Sequence, residues 1–446
     1  MNIEKSLEEY LNNYIGIGKA YRALQITKQK TQNIEYLVKL TLDIAKSENL
    51  FGFYEIALKE LKMNSPLEDH QEWFKNASEK YQEQIQNIKK DINQYKSQTN
   101  NQSTRLSMIE LGRYYFKQGQ VVEAYKQFDK ANNYRQKEDT IIDFIDEYSI
   151  ALLYSKEFEK LTILQTELQD TNYQQTEIKE KIAISQTCQL LRCIQQQNYT
   201  EFFEICQNRY QPDYLPENAN ILSTPQDLGN YITFLGFYKN KQANDKNYFT
   251  LFHNLYNNEN VSPLIVSGEY STKAAEHYIS MQFAQAVVQV QQMVETDLNF
   301  DPFIQDKQWK LNDITKQFLI YYLKPFNKIK ISNICKEFNI PQAALLEKLE
   351  NMIKESKKAP QNSQNYFNFL IDPISGELVE KISKKQYDNK TYKQAVKTAQ
   401  TYLHDKQMNL LQYRLSNIMR DSKDQFMMEE FGGDEMIKKQ LMGLQR

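Results

Sequence analysis

The sequence predicts a mostly α-helical protein. Stacked helix pairs form a right-handed solenoid. A helix–turn–helix unit with a β-hairpin follows, then one long C-terminal helix. Three observations carry this. Glycine and proline are scarce, 12 and 10 in 446 residues, while Ala, Leu, Glu, Gln and Lys recur, a balance that favours helix. The stretch "LGRYYFKQGQVVEAYKQFDKA", residues 111–131, spaces small and aromatic residues as two packed helices require. Finally, "NYFNFLIDPISGELVEKI" alternates apolar positions on either side of Asp372-Pro373 and Gly376, the pattern of a hairpin.

The first element is an N-terminal helical region, residues 1–100. "NIEYLVKLTLDIAKSENLFGFYEIALKEL" reads as a helical hairpin broken near Asn49 to Gly52. In "HQEWFKNASEKYQEQIQNIKKDINQYK", Phe74, Ala77, Tyr81, Ile88, Ile92 and Tyr95 keep three–four spacing, which predicts one long amphipathic helix. "SQTNNQST", 97–104, reads as a polar linker.

Residues 105–310 read as helical repeats leading into a helical bundle. In the opening stretch Leu111, Gly112, Tyr115, Ala124, Phe128 and Ala131 fall in the register of a tetratricopeptide repeat, with Gly119 in the turn. Met108 stands where the usual Trp would be, and Gln136 where the usual Pro would be. These six residues are packing residues: close helix–helix approach needs small side chains at the contact. One such pair cannot bury its own face, so neighbours must follow. "ALLYSKEFEKL" and "CIQQQNYTEFFEI", with turns near Lys156 and Gln197, supply degenerate repeats. "YQPDYLPENANILSTPQD" interrupts them.

The pattern changes at 311. Residues 311–385 read as a winged helix. "LNDITKQFLIYYLKPF" is a helix stopped by Pro325. Two shorter helices flank a turn at Asn339-Ile340-Pro341, with Ile331, Ile334, Phe338, Leu345, Leu346, Leu349 and Ile353 as their shared core, and the hairpin closes the unit. Phe367, Phe369 and Ile371 lie on one face of its first strand. Residues 386–420 form the last long helix, with Val396, Ala399, Leu403 and Leu410 on one stripe. That stripe either folds back on its own chain or meets a partner helix. Both groups are candidate subunit interfaces. Residues 421–446 read as a flexible tail.

Composition excludes several classes. A hydrophobic share of 41% and a charged share of 25% are ordinary for a soluble globular protein. The net charge of −2 gives no global reason to bind nucleic acid or anionic lipid. A winged helix still raises the question of DNA. Its second helix shows Gln342, Glu347, Lys348, Glu350, Lys354 and Glu355 outward, with no Arg, a poor surface for phosphates or guanine edges. No nucleic acid is expected as a partner. No run approaches a membrane span, "MNIEKSLEEYLNN" is too charged for a signal peptide, and no membrane partner is expected. Four irregular cysteines (188, 193, 206, 335) point to a reducing compartment.

No catalytic constellation is visible. Histidines 70, 253, 277 and 404 make no His-x-His or His-Glu-x-x-His motif. There is no phosphate-binding loop and no nucleophile elbow. The expectation is no catalytic residue, no metal and no cofactor.

The order of these segments resembles the PCI family, scaffold subunits of the proteasome lid, the COP-nine signalosome and translation initiation factor three. That family opens with Tyr-x-Gly-Leu-x-Arg-x-x-Arg. Here "YIGIGKAYR" keeps Tyr14, Gly16 and Arg22, with Ile17 for Leu and Lys19 for Arg, and departs at Gly18, Ala20 and Tyr21. Trp73 and "INQYKSQTNNQSTR" resemble the ends of the family's long helix, "FDKANNY" the close of its repeat, and "LSTPQDLGNYITFLGF" the start of its PCI helices. "FNIPQAALLEKLENMI" resembles the winged-helix core and "YKQAVKTAQTYLHDKQMNLLQYRLSNI" the terminal helix.

The resemblance implies a non-catalytic subunit of the signalosome, which removes the ubiquitin-like protein Nedd from cullin-RING ligases. Its partners would be other PCI subunits and a metalloprotease-type subunit, with the ligases reached through the complex. A proteasome-lid scaffold is the first alternative, and a nucleic-acid-binding winged-helix protein, which the charge on the second helix disfavours, is the second.

Overall fold

The computed structural model describes residues 3–29, 33–135, 141–169, 176–210, 212–214, 220–239, 250–356, 367, 369–380 and 397–408. The chain divides into two units, Met1–Val379 and Glu380–Arg446.

The first unit opens with α1 (Ile3–Leu11), α2 (Gly16–Gln29), α3 (Ile34–Ser47) and α4 (Phe51–Glu60). The expected break between α3 and α4 is there, with Asn49 in the left-handed region at φ 55°, a conformation Asn tolerates. A 3-10 turn at Glu68–His70 leads into the long α5 (Gln71–Ser97). Tyr81, Ile85, Ile88 and Ile92 form its buried stripe. The linker expected over 97–104 is shorter than the sequence suggested. Asn100 caps α6 (Asn101–Lys117), accepting from the Ser103 N–H at 3.1 Å. Half of the polar run read as linker, 101–104, is therefore the first turn of a helix, where Asn and Ser are at home.

Next come α7 (Val121–Asn133), α8 (Ile145–Ser155), α9 (Phe158–Gln169), α10 (Thr176–Gln195) and α11 (Tyr199–Asn208). Each packs on its neighbours: α5 on α6, α6 on α7, α7 on α8, α8 on α9 and α10, and α10 on α11. This is the one-dimensional packing of stacked helix pairs. Cys188, Cys193 and Cys206 are fully buried between these helices. A second group follows: α12 (Pro225–Lys239), α13 (Thr250–Tyr256), α14 (Ser262–Ser267), α15 (Glu269–Ile279) and α16 (Phe283–Glu295). Here α12 contacts α14 and α15 as well as α13, so the packing is bundle-like rather than serial.

α17 (Lys307–Leu323) ends just before Pro325. Then come β1 (Lys328–Lys330), α18 (Ile331–Phe338), α19 (Gln342–Ser356), β2 (Phe369–Asp372) and β3 (Glu377–Glu380). The strands form one sheet in the order β1-β3-β2, with β1 antiparallel to β3. The β2–β3 turn is fixed by Asp372, whose carboxylate accepts from Ile374 N–H at 3.0 Å and from the Ser375 hydroxyl at 2.7 Å. Gly376 sits at φ +66°. Ile331, Ile334, Phe338, Leu345 and Leu349 are buried together, while Leu346 and Ile353 are half-buried against them.

In the second unit, residues 397–408 are helical. Val396, Leu410 and the expected tail 421–446 lie outside the described residues, as do residues 357–366.

Candidate functional site

The most completely built polar site is buried and joins distant parts of the chain. It is centred on α2, in which no residue from Gly16 to Thr27 is exposed. A helix covered all round belongs to an interior, yet this one carries an arginine. Arg22 is 1% exposed. Its Nη1 donates to the Tyr10 hydroxyl at 2.7 Å and to Asp301 Oδ2 at 3.2 Å. Its Nη2 donates to the Leu222 carbonyl at 2.7 Å. The guanidinium lies 3.9 Å from the centroid of the Tyr14 ring and 4.9 Å from that of Phe303. A buried charge persists only when paired and hydrogen-bonded, and these contacts supply both conditions.

The carboxylates are held as tightly. Asp301 accepts from Phe303 N–H at 2.8 Å, from Ile304 N–H at 3.3 Å and from the Tyr231 hydroxyl. Asp227 accepts from the Tyr14 hydroxyl at 2.8 Å and from Thr224 N–H at 2.8 Å, while Asp227 N–H donates to the Thr224 hydroxyl at 3.1 Å. The last two bonds form a reciprocal capping box at the start of α12, with Pro225 as its first residue. One guanidinium faces two carboxylates here. Burial pushes the Asp227 carboxyl up, against the attraction of Arg22. Burial likewise lifts the Tyr10, Tyr14 and Tyr231 phenols well above their usual range, so all three stay protonated; Tyr14 and Tyr231 donate to the carboxylates, and Tyr10 accepts from Arg22.

Two segments that the sequence presented separately thus meet in space. "YIGIGKAYR" supplies Tyr14 and Arg22; "LSTPQDLGNYITFLGF" supplies Leu222, Asp227 and Tyr231. Gly18, which looked like a departure, has a steric role. A Cβ there would lie 1.7 Å from the Ile221 carbonyl oxygen, so a larger residue would push α2 off the 221–224 turn. Tyr21, another departure, stacks on Tyr154 at 4.8 Å and donates to the Gly119 carbonyl at 3.2 Å. The clamp residues Asp301 and Leu222 were not singled out from sequence. The nearest signal was the Ser-Thr-Pro-Gln-Asp cap, which marks a helix start but names no partner.

The six repeat residues lie together between α6 and α7. Leu111, Tyr115, Ala124, Phe128 and Ala131 are buried, the two alanines completely. Gly112 leaves room for Phe128, whose ring carbon would lie 2.7 Å from a Cβ at that position.

The candidate interface residues separate. Phe367 and Phe369 are buried within the chain, and the Phe367 carbonyl accepts from the Ser356 hydroxyl at 2.9 Å. Ile371 is half-buried. β2 is an edge strand of the sheet. Its outward face shows Leu370, 47% exposed, and the turn beyond it shows Ile374, 96% exposed. Ala399 and Leu403 are exposed on the 397–408 helix.

The second helix of the helix–turn–helix pair, α19, pairs part of its charge with α17. Lys348 donates to Asn312 Oδ1 of α17 at 2.8 Å, and Lys316 of α17 pairs with Glu355 at 3.4 Å. Burial pushes the Lys348 amine down. Lysines engaged in this way are poor phosphate ligands.

Burial pushes the thiols of Cys188, Cys193 and Cys206 up, Cys193 to about 12, the opposite of what a reactive thiolate needs. Among the described residues one set of side chains, Asp43, Asp69 and His70, has a metal-ligating composition.

Helices that pack serially and then as a bundle, followed by a small sheet with an open edge, define a mostly helical protein. Residues 70–148, spanning α5 to α7 and the start of α8, match the family model for 26S proteasome subunit RPN7. The chain is also similar to COP9 signalosome complex subunit 1 of Neurospora crassa, 20% identical over 353 residues, covering 76% of this chain and 81% of the relative. Both matches support the kinship with the PCI family drawn from the sequence, and with it a PCI-type scaffold subunit.

Proposed function

We propose that this chain is a non-catalytic scaffold subunit of a signalosome-type complex that removes Nedd from cullin-RING ligases. The observation that carries this is the likeness to signalosome subunit 1 over three quarters of the chain. In this reading the helix pairs form a right-handed, tetratricopeptide-like solenoid, and α17 to β3 form the winged helix of a PCI domain. The chemistry belongs to a metalloprotease-type partner. The chain works in cytoplasm and nucleus and contributes surfaces. Two are available: the open edge of β2, whose main chain would accept a strand from a neighbouring subunit, and the exposed apolar residues of the 397–408 helix. A proline placed in β2 with its nitrogen facing outward would remove a donor and weaken assembly without unfolding the chain.

The RPN7 match favours a second reading, a proteasome-lid scaffold. Affinity purification of the tagged chain from its own cells, read by mass spectrometry, separates the two. Cullins with a metalloprotease subunit support the first reading. Proteasomal ATPases in their place establish the second.

A further inference from the structure

We propose that Asp43, Asp69 and His70 form a binding site for one divalent transition-metal cation of the zinc class. His70 ends the 3-10 turn before α5, and its side chain is 2% exposed. Its Nε2 lies 3.0 Å from Asp43 Oδ1 on α3 and 3.9 Å from Asp69 Oδ2. The three ligand atoms fall within 4.8 Å of one another. Ligands bound to zinc at about 2.0–2.2 Å in a tetrahedron are separated by roughly 3.3–3.5 Å, so on binding Asp43 moves slightly away from Nε2 and Asp69 moves in. Asp69 can do so, since its side chain is 64% exposed.

The far side of the imidazole is already fixed. Nδ1 lies 3.0 Å from the Tyr54 hydroxyl. That hydroxyl accepts from Leu67 N–H at 3.4 Å, and its ring packs against Trp73 at 5.3 Å. Without a cation the 3.0 Å approach to Asp43 is made by Nε2–H; in the other tautomer Nδ1–H is donated to Tyr54 and Nε2 keeps its lone pair beside the carboxylates, the form a cation takes. Metal-bound histidines are oriented in the same way, through a hydrogen bond on the other ring nitrogen. A simple Asp43–His70 pair accounts for one carboxylate. Asp69 stands beyond hydrogen-bond distance from Nε2, where an ion between the groups would engage it. The Lys46 amine is occupied on the Asp69 backbone carbonyl at 3.0 Å. Both carboxylates reach solvent, which provides an entry path and water for the remaining position. One nitrogen and two oxygen ligands suit zinc, cobalt or manganese and not a thiolate-seeking ion. Bound there, the cation would tie α3 to the start of α5.

The test uses the full chain stripped with chelator, titrated with zinc chloride by calorimetry and with cobalt chloride by absorbance. One zinc per chain and a raised Tm are expected. Asp69→Asn and Asp43→Asn should each weaken binding at least tenfold, and His70→Gln should abolish it. Tyr54→Phe should weaken it about 10–100-fold through lost orientation. Circular dichroism checks each fold; if His70→Gln misfolds, the two asparagine variants decide. No zinc bound by the native chain, or the same affinity in both asparagine variants, overturns the site.

Discussion

Replacing Arg22 with methionine removes the guanidinium while keeping a long side chain against the Tyr14 and Phe303 rings. Three partners lose a donor at once: the Tyr10 hydroxyl, Asp301 and the Leu222 carbonyl. Breaking a buried ion pair from one side costs about 3–5 kcal/mol, because the remaining charge stays buried. Asp301 keeps two backbone N–H donors and Tyr231, which holds the loss near the middle of that range, about 4 kcal/mol. The unit concerned runs from Met1 to Val379. At about 2.1 cal/mol/K per residue its unfolding entropy is roughly 0.8 kcal/mol/K, so Tm should fall by about 5 °C. Calorimetry of the full chain measures this. The double variant Arg22→Met with Asp301→Asn should recover at least about 1 kcal/mol of the sum of the single losses, the signature of coupled neighbours. Strict additivity, or an Arg22→Met Tm within about 1 °C of the native chain, would refute the clamp as a stabilising pair.

Three other outcomes follow from the same geometry. Gly18→Ala should lower stability, whereas the same change at an open helical site raises it by up to about 1 kcal/mol; a raised Tm would contradict the close approach to Ile221. Ala124→Leu should overpack the α6–α7 contact and cost about 1–3 kcal/mol, and unchanged denaturant midpoints would show that contact to be loose. Because burial raises the Asp227 carboxyl, its stabilising contribution is fully present below the unfolded-state value of about 3.9 and is lost as pH rises through the higher folded value. Asp227→Asn, which keeps an acceptor for Tyr14 and Thr224, should therefore flatten the fall in Tm above about pH 4; a steeper fall in the variant would reverse the sign of the argument.

The local devices were legible because their causes are local. Gly112, Ala124 and Ala131 announce a close helix pair through spacing alone, and Asp372-Pro373 with Gly376 announces a hairpin turn. The 97–104 run was misread because Asn, Ser and Thr suit a linker and a helix cap equally; only the Asn100 to Ser103 bond distinguishes them. The clamp was beyond reach for a different reason. Arg22 pairs with an aspartate 279 residues away, and no periodicity links such positions. The histidine cluster was missed for the same cause: Asp43 and His70 belong to different elements, and a search for closely spaced histidines does not look there.

The placement of α2 bears on how the chain is made. The stacked helices from α5 onward can each settle on the one before, as they leave the ribosome. α2 cannot. It is synthesised well before its partners, and its arginine waits for Leu222 and Asp301. At about 5–20 residues per second, Arg22 spends roughly 15–55 s without its carboxylate. During that interval an apolar helix with an unpaired charge is open to chaperones and to wrong partners. The native interior closes only when the last third of the first unit arrives, so a chain halted before residue 301 should present its N-terminal helix to proteases while its middle helices are already protected.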